Sequence, residues 1–230
     1  MERVLISNVE SSYGSKKVLK DINICAKPGE CVGIVGANGS GKSTLLNILS
    51  GLRLKYKGNI YFDGQLVTHK NAKKLFTSYI GYVPQENNLI SELSVKDNLL
   101  IWYQDKKCLE YEVNEGFLNK LGIREMYNIK VNKLSGGMKK RVSIACAMAG
   151  NPSILILDEP GAALDLPGKD DIRKYLVMYK QMGGTVIIAT HEESDLDICD
   201  RIYALNKGES REIDKCLRGD ELLRKINYKE

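Results

Sequence analysis

Short apolar runs, each bounded by glycine, proline, asparagine or charged residues, recur along the chain. Cys31–Val35, Ile80–Val83, Ile154–Leu157 and Thr185–Ala189 are continuous rather than alternating. That pattern predicts strands buried on both faces. Helical periodicity separates them, so the chain reads as α/β with a largely parallel sheet. Nearer the N-terminus, Val4–Val9, Val18–Ile24 and Gly58–Phe62 look like edge strands, joined by turns at Ser12-Tyr13-Gly14 and Asp63-Gly64. They predict a small antiparallel β-layer. From Leu93 to Ala149 strand signals are scarce and the pattern is helical. Ser94-Val95-Lys96-Asp97 has the form of a capping box, opening a helix expected to bury Val95, Leu99 and Trp102 on one face. The helical stretch therefore reads as an insertion between two halves of an α/β core.

The 230 residues suffice for one domain with a substantial core. Hydrophobic residues at 43% and charged residues at 27% exclude wholesale disorder. The longest purely aliphatic run is Ile154–Leu157, far short of the roughly 20 residues of a membrane span. The N-terminus lacks the apolar stretch of a secretory signal. A net charge of +5, with Lys139-Lys140-Arg141 as the longest basic run, is too slight for a nucleic-acid groove, and no nucleic-acid partner is expected. No two of the six cysteines stand at CxxC spacing, and none has histidine at ligand spacing. Cys146, in an apolar helical stretch, reads as a buried thiol, and a reducing cytosolic compartment fits best.

Three segments carry chemistry. Gly36-Ala37-Asn38-Gly39-Ser40-Gly41-Lys42-Ser43 fits the P-loop pattern G-x-x-x-x-G-K-[ST], with a predicted strand before it and a helix start after it. Such glycines let backbone N–H groups turn inward around phosphate oxygens at a helix N-terminus. Lys42 would reach the β- and γ-phosphates, and the Ser43 hydroxyl would coordinate Mg²⁺. The strand Ile154–Leu157 ends in Asp158-Glu159. Asp158 suits the metal shell, and Glu159 is a candidate general base for an attacking water. Leu134-Ser135-Gly136-Gly137-Met138, before a helical stretch, forms a second anion-binding nest or a simple N-cap.

Together with His191 closing the strand Thr185–Thr190, these segments resemble, in order and spacing, the ATPase subunit of an ATP-binding cassette (ABC) transporter. Leu134–Met138 matches that family's signature motif. The resemblance implies an ATPase built as a P-loop core with an N-terminal antiparallel β-layer and an inserted helical signature subdomain. Residues 1–230 would form a single domain, with 1–88 and 152–230 as the core and 89–151 as the helical part. ATP would be held by Tyr13, stacking on adenine, and by Gly36, Asn38, Gly39, Ser40, Gly41, Lys42, Ser43 and Thr44. Ser43, Gln85 and Asp158 would hold Mg²⁺. Glu159, His191, Gln85 and Lys42 would form the catalytic set, with His191 contacting the γ-phosphate and orienting the water. Ser135, Gly136 and Gly137 would close the site from a second ATPase subunit, identical or a close paralogue, with Ala163-Leu164-Asp165 passing between the two.

The resemblance further implies a separate membrane permease. It would keep this chain in the cytoplasm, peripheral on the inner face of the cell membrane. The docking surface is expected around Gln85–Asn98, with Leu89 and Ile90 exposed. Two positions depart from the family pattern. Met138 stands where glutamine is commoner, a lean toward exporters, and Leu166 precedes Pro167 where proline usually follows Asp165 directly. The alternative reading is a soluble ABC ATPase of a cytosolic assembly machine, such as iron–sulfur cluster biogenesis.

Overall fold

The computed structural model describes residues 1–226. Strands β1 (Val4–Tyr13) and β2 (Lys16–Ala26) form a hairpin, and β3 (Cys31–Val35) leads into α1 (Lys42–Leu49). Next come β4 (Lys57–Phe62), β5 (Gln65–Leu66), α2 (Ala72–Tyr79) and β6 (Ile80–Val83). The chain then turns helical, through α3 (Val95–Trp102), α4 (Lys106–Asn114), α5 (Phe117–Lys120), α6 (Ile123–Met126), a 3-10 turn at Val131–Lys133 and α7 (Gly136–Ala147). It returns with β7 (Ile154–Asp158), α8 (Leu166–Gln181), β8 (Thr185–Ala189), α9 (Glu193–Leu196), β9 (Arg201–Asn206), β10 (Glu209–Ile213) and α10 (Gly219–Ile226).

The strands join in the order β5-β4-β1-β2-β10-β9-β3-β8-β7-β6. Five of them, β9-β3-β8-β7-β6, run parallel, while β2, β1, β4 and β5 form the expected antiparallel layer. The two parts meet at one parallel pairing, Glu209 with Asp21. Alternation decides which face each side chain fills. Cys31, Val35, Leu155, Leu157, Val186 and Ile188 pack against α7 and α8 on one face. Val32, Ile34, Ile154, Ile156, Ile187 and Ala189 pack against α1 on the other. Both faces are dry, which is why these strands read as unbroken apolar runs.

Ser94 caps α3 as expected, accepting from the Asp97 amide while the Asp97 carboxylate accepts from the Ser94 amide. Trp102 corrects the predicted face: it is 57% exposed, whereas Val95, Leu99 and Tyr103 are buried. The helix stops at Trp102, and the extended Tyr103 turns its own ring inward. Leu89 is also corrected, since it is half-buried against the helical core, leaving Ile90 as the exposed member of that pair. Strands β9 and β10 lie beyond Thr185–Ala189, the last strand that the apolar pattern predicts. Among the described residues, no helix is long and apolar enough to cross a membrane.

Candidate functional site

Parallel strands place their carboxyl ends side by side, and loops from several strands converge there. In this sheet Ala189 pairs with both Ile34 and Asp158, and Val83 pairs with Leu157. The loop 36–41 after β3, His191 after β8, Asp158-Glu159 at the end of β7 and Gln85 after β6 therefore line one edge.

The phosphate-binding loop is tightly built. A Cβ at Gly36 would stand 2.5 Å from the Leu205 carbonyl oxygen and 2.6 Å from Ser40 Oγ. Gly41 has φ +112°, and a Cβ there would meet Leu19 Cδ2 at 2.6 Å. Each glycine is thus required by a backbone approach or a left-handed turn that a side chain would obstruct. Asn38 and Gly39 form the exposed tip. Lys42, itself 8% exposed, donates from Nζ to the Gly36 carbonyl at 2.7 Å and to that of Ala37 at 3.4 Å. Ser40 Oγ is buried without a hydrogen-bond partner. An unpaired hydroxyl in such a loop suits a phosphate oxygen.

Ser43 and Thr44 open α1, and the Ser43 hydroxyl stands near enough to the Asp158 carboxylate to act on its titration. Burial pushes the Asp158 carboxyl above its ordinary range. The Ser43 hydroxyl, Lys42 and Lys140 pull it down, and the charge of Glu159 pushes it further up. Among the described residues no cluster of three or more His, Cys, Asp or Glu side chains could hold a metal. A hydroxyl with one carboxylate is nonetheless the partial oxygen set that Mg²⁺ accepts when phosphates and water complete its shell.

Glu159 has φ +47°, uncommon for a residue with a side chain and a strain often kept at functional sites. Its amide donates to the Ala189 carbonyl at 2.9 Å, and its Oε2 lies 2.6 Å from His191 Nδ1. Behind them, Thr190 Oγ1 donates to the buried Asp195 at 2.7 Å and accepts from the Glu192 amide at 3.0 Å, fixing the turn that carries His191.

Tyr13 sits on the hairpin turn, with the Arg53 guanidinium carbon 3.9 Å from its ring centroid. Arg53 is anchored by Ser11 Oγ and the Ser12 carbonyl. Ser135 caps α7 by accepting from the Met138 amide at 3.2 Å. Gly136 neighbours Leu164 and Ala163, and Gly137 neighbours Gly168, so the second nest stands beside the segment before α8. Asp165 caps that helix by accepting from the Gly168 amide at 3.0 Å. Pro167 lies in the first turn of α8, where proline is tolerated, so the displaced proline leaves the helix start intact. Sequence reasoning missed Arg53, whose only trace is a cation shortly after α1, and Lys140, a cation inside a helix buried on nearly every side.

Residues 19–162 match the family model described as ABC transporter. The chain is 35% identical over 214 residues to the bacitracin export ATP-binding protein BceA of Halalkalibacterium halodurans, covering 88% of this chain and 85% of that protein. It is 33% identical over 220 residues to the sulfate/thiosulfate import ATP-binding protein CysA of the same organism, covering 91% of this chain and 60% of that protein. Among solved structures, the ADP- and Pi-bound dimer of the cassette MJ0796 superposes with a TM-score of 0.78 at 33% identity, over 94% of this chain and 99% of that one.

Proposed function

The chain belongs to the ABC transporter family of ATP-binding subunits and is an ATPase, and from that premise we propose how its own residues run the cycle and what they drive. The observation that carries the proposal is the convergence of Lys42, Ser43 beside Asp158 and the Glu159–His191 pair on one edge of the parallel sheet.

ATP lies with its adenine on Tyr13 and its β- and γ-phosphates in the loop Gly36–Thr44. Lys42 exchanges its two loop carbonyls for phosphate oxygens, and the Ser40 hydroxyl gains a partner. Ser43 and Asp158, with Gln85, would hold Mg²⁺, which would neutralise phosphate charge. Glu159 takes the proton of the attacking water, and the water oxygen displaces ADP from the γ-phosphorus, releasing phosphate. His191 holds Glu159 Oε2 through Nδ1 and keeps its other ring nitrogen for the γ-phosphate.

Ser135, Gly136 and Gly137 serve the phosphates of a second subunit rather than those of their own chain. The reading is supported by their place beside Ala163 and Leu164 and by the dimeric state of MJ0796. Two chains then enclose two ATP molecules. The motion passes to a separate membrane permease through the loop after β6, where Ile90 is 46% exposed. Residues 89–151 act as the helical unit that carries it, within one domain. Met138 leans the reading toward export, although the relatives named above serve both directions. An assembly ATPase is not favoured, because those relatives are transporter subunits.

Lys42→Ala is the test of the nucleotide site. It removes the loop's side-chain cation, so ATP binding and hydrolysis should both be lost, and near-normal turnover would refute the assignment. Co-purification from membranes with a polytopic protein tests the permease, and its failure under gentle solubilisation would leave no transporter.

A further inference from the structure

Lys140 is 1% exposed in the second turn of α7. Its Nζ donates to the Pro84 carbonyl at 3.1 Å and to that of Gln85 at 3.0 Å. No carboxylate forms an ion pair with it among the described residues; Asp158 acts on it only through its charge. Burying an ammonium costs several kcal/mol even after relaxation, and two loop carbonyls return little of that. A methionine would fill the space more cheaply, so packing alone does not account for a lysine. One turn on along the same helix face, Ser143 Oγ hydrogen-bonds Asn87 Oδ1 at 3.0 Å. At the far end of the loop, Asn98 on α3 accepts from the Ile90 amide and donates to the Ile90 carbonyl. The loop 84–90 is therefore clamped by two helices, and the clamp nearest Gln85 is on the helix that begins at Ser135.

We propose that Lys140 is a positioning residue, which locks the backbone of Gln85 to α7 and so fixes where the Gln85 side chain stands when Ser135 is engaged. This rests on the nucleotide-site reading above. Any shift of α7 moves both bonded carbonyls, so Gln85 reaches its working position only when α7 is in place. Lys140 thereby makes hydrolysis depend on engagement of the signature segment.

The test is steady-state ATPase kinetics with separate nucleotide-binding and thermal-melting measurements, on Lys140→Met, Gln85→Ala, the double variant and Lys42→Ala. Lys140→Met should lower kcat by about 30-fold while ATP affinity changes less than about threefold, because the phosphate loop is untouched. In the Gln85→Ala background the same change should cost less than about threefold, since the two residues act as one unit. Undiminished kcat in Lys140→Met, or fully multiplicative losses in the double variant, would overturn the proposal. If Lys140→Met melts below the assay temperature, Ser143→Ala replaces it: it frees Asn87 and should lower kcat several-fold at unchanged affinity, and unchanged kcat there would count against the clamp. An active Lys42→Ala would instead overturn the underlying nucleotide site, so the two failures are distinguishable.

Discussion

His191 Nδ1 stands 2.6 Å from Glu159 Oε2, and the His191 amide donates to the same oxygen at 3.4 Å. Both contacts fall on one carboxylate oxygen of a residue whose backbone is held at φ +47°. On the proposed mechanism, Oε1 is left as the oxygen to take the proton of water. Glu159→Gln keeps the shape and removes the base. It should bind Mg·ATP normally and hydrolyse it at least about 100-fold more slowly. ATP-bound dimer should accumulate on size exclusion. Unchanged hydrolysis would move the base elsewhere, with His191 the first candidate.

Asp158 links stability to pH. Burial raises its pKa in the folded chain, so the folded state binds this proton more tightly than the unfolded state does. Its contribution to stability is full below the ordinary carboxylate range and is lost as pH rises through the raised value. Asp158→Asn removes that loss. Without nucleotide the variant should melt higher than the unaltered chain at pH 8, by about 2–4 °C for each kcal/mol relieved. The advantage should shrink as pH falls towards the carboxylate range, and ATP hydrolysis should be lost at every pH. A lower melting temperature at pH 8 would contradict the desolvation argument.

Tyr13 and Arg53 are expected to act on binding more than on chemistry. Stacking of a base on an aromatic ring contributes about 1–3 kcal/mol, so Tyr13→Ala should raise KM for ATP about tenfold or more while kcat changes much less. Arg53→Ala removes the cation 3.9 Å from the ring centroid and should raise KM about threefold, the size of a partly exposed cation–π contact. A fall in kcat at constant KM in either variant would show that the hairpin turn is not the adenine platform.

Four strands of the parallel core were legible as apolar runs, and Cys31–Val35, Ile80–Val83 and Thr185–Ala189 appear with those bounds. The fifth, Arg201–Asn206, was missed although Ile202, Tyr203, Ala204 and Leu205 are buried. Asp158 extends the predicted strand Ile154–Leu157 by one residue, since its backbone still pairs with Ala189. The polar edge strand Glu209–Ile213 was hidden, because its pairing with Arg201–Asn206 is made by backbone groups rather than by an apolar pattern. The residues of the phosphate loop were legible because their geometry demands particular amino acids. Arg53 and Lys140 were not. Their meaning lies in a ring and in carbonyls far away in the chain, and nothing in their own neighbourhood records those partners. Trp102 misled for a related reason: helical spacing places it beside Leu99, but the helix ends there and Tyr103 fills the core.

The shared site is tested most directly with a mixed dimer. One chain carries Lys42→Ala and the other, with a different tag, carries Ser135→Arg. If the phosphate loop of each chain faces the Ser135 of its partner, both lesions fall in one composite site and the other site is undamaged. Either variant alone should trap no nucleotide. Random pairing makes about half of the dimers mixed, each with one good site of two, so the mixture should trap about a quarter of the unaltered level. All of it should reside in the doubly tagged species. Folded, doubly tagged dimer that traps no nucleotide would mean that each chain uses its own Ser135, and would contradict the shared site.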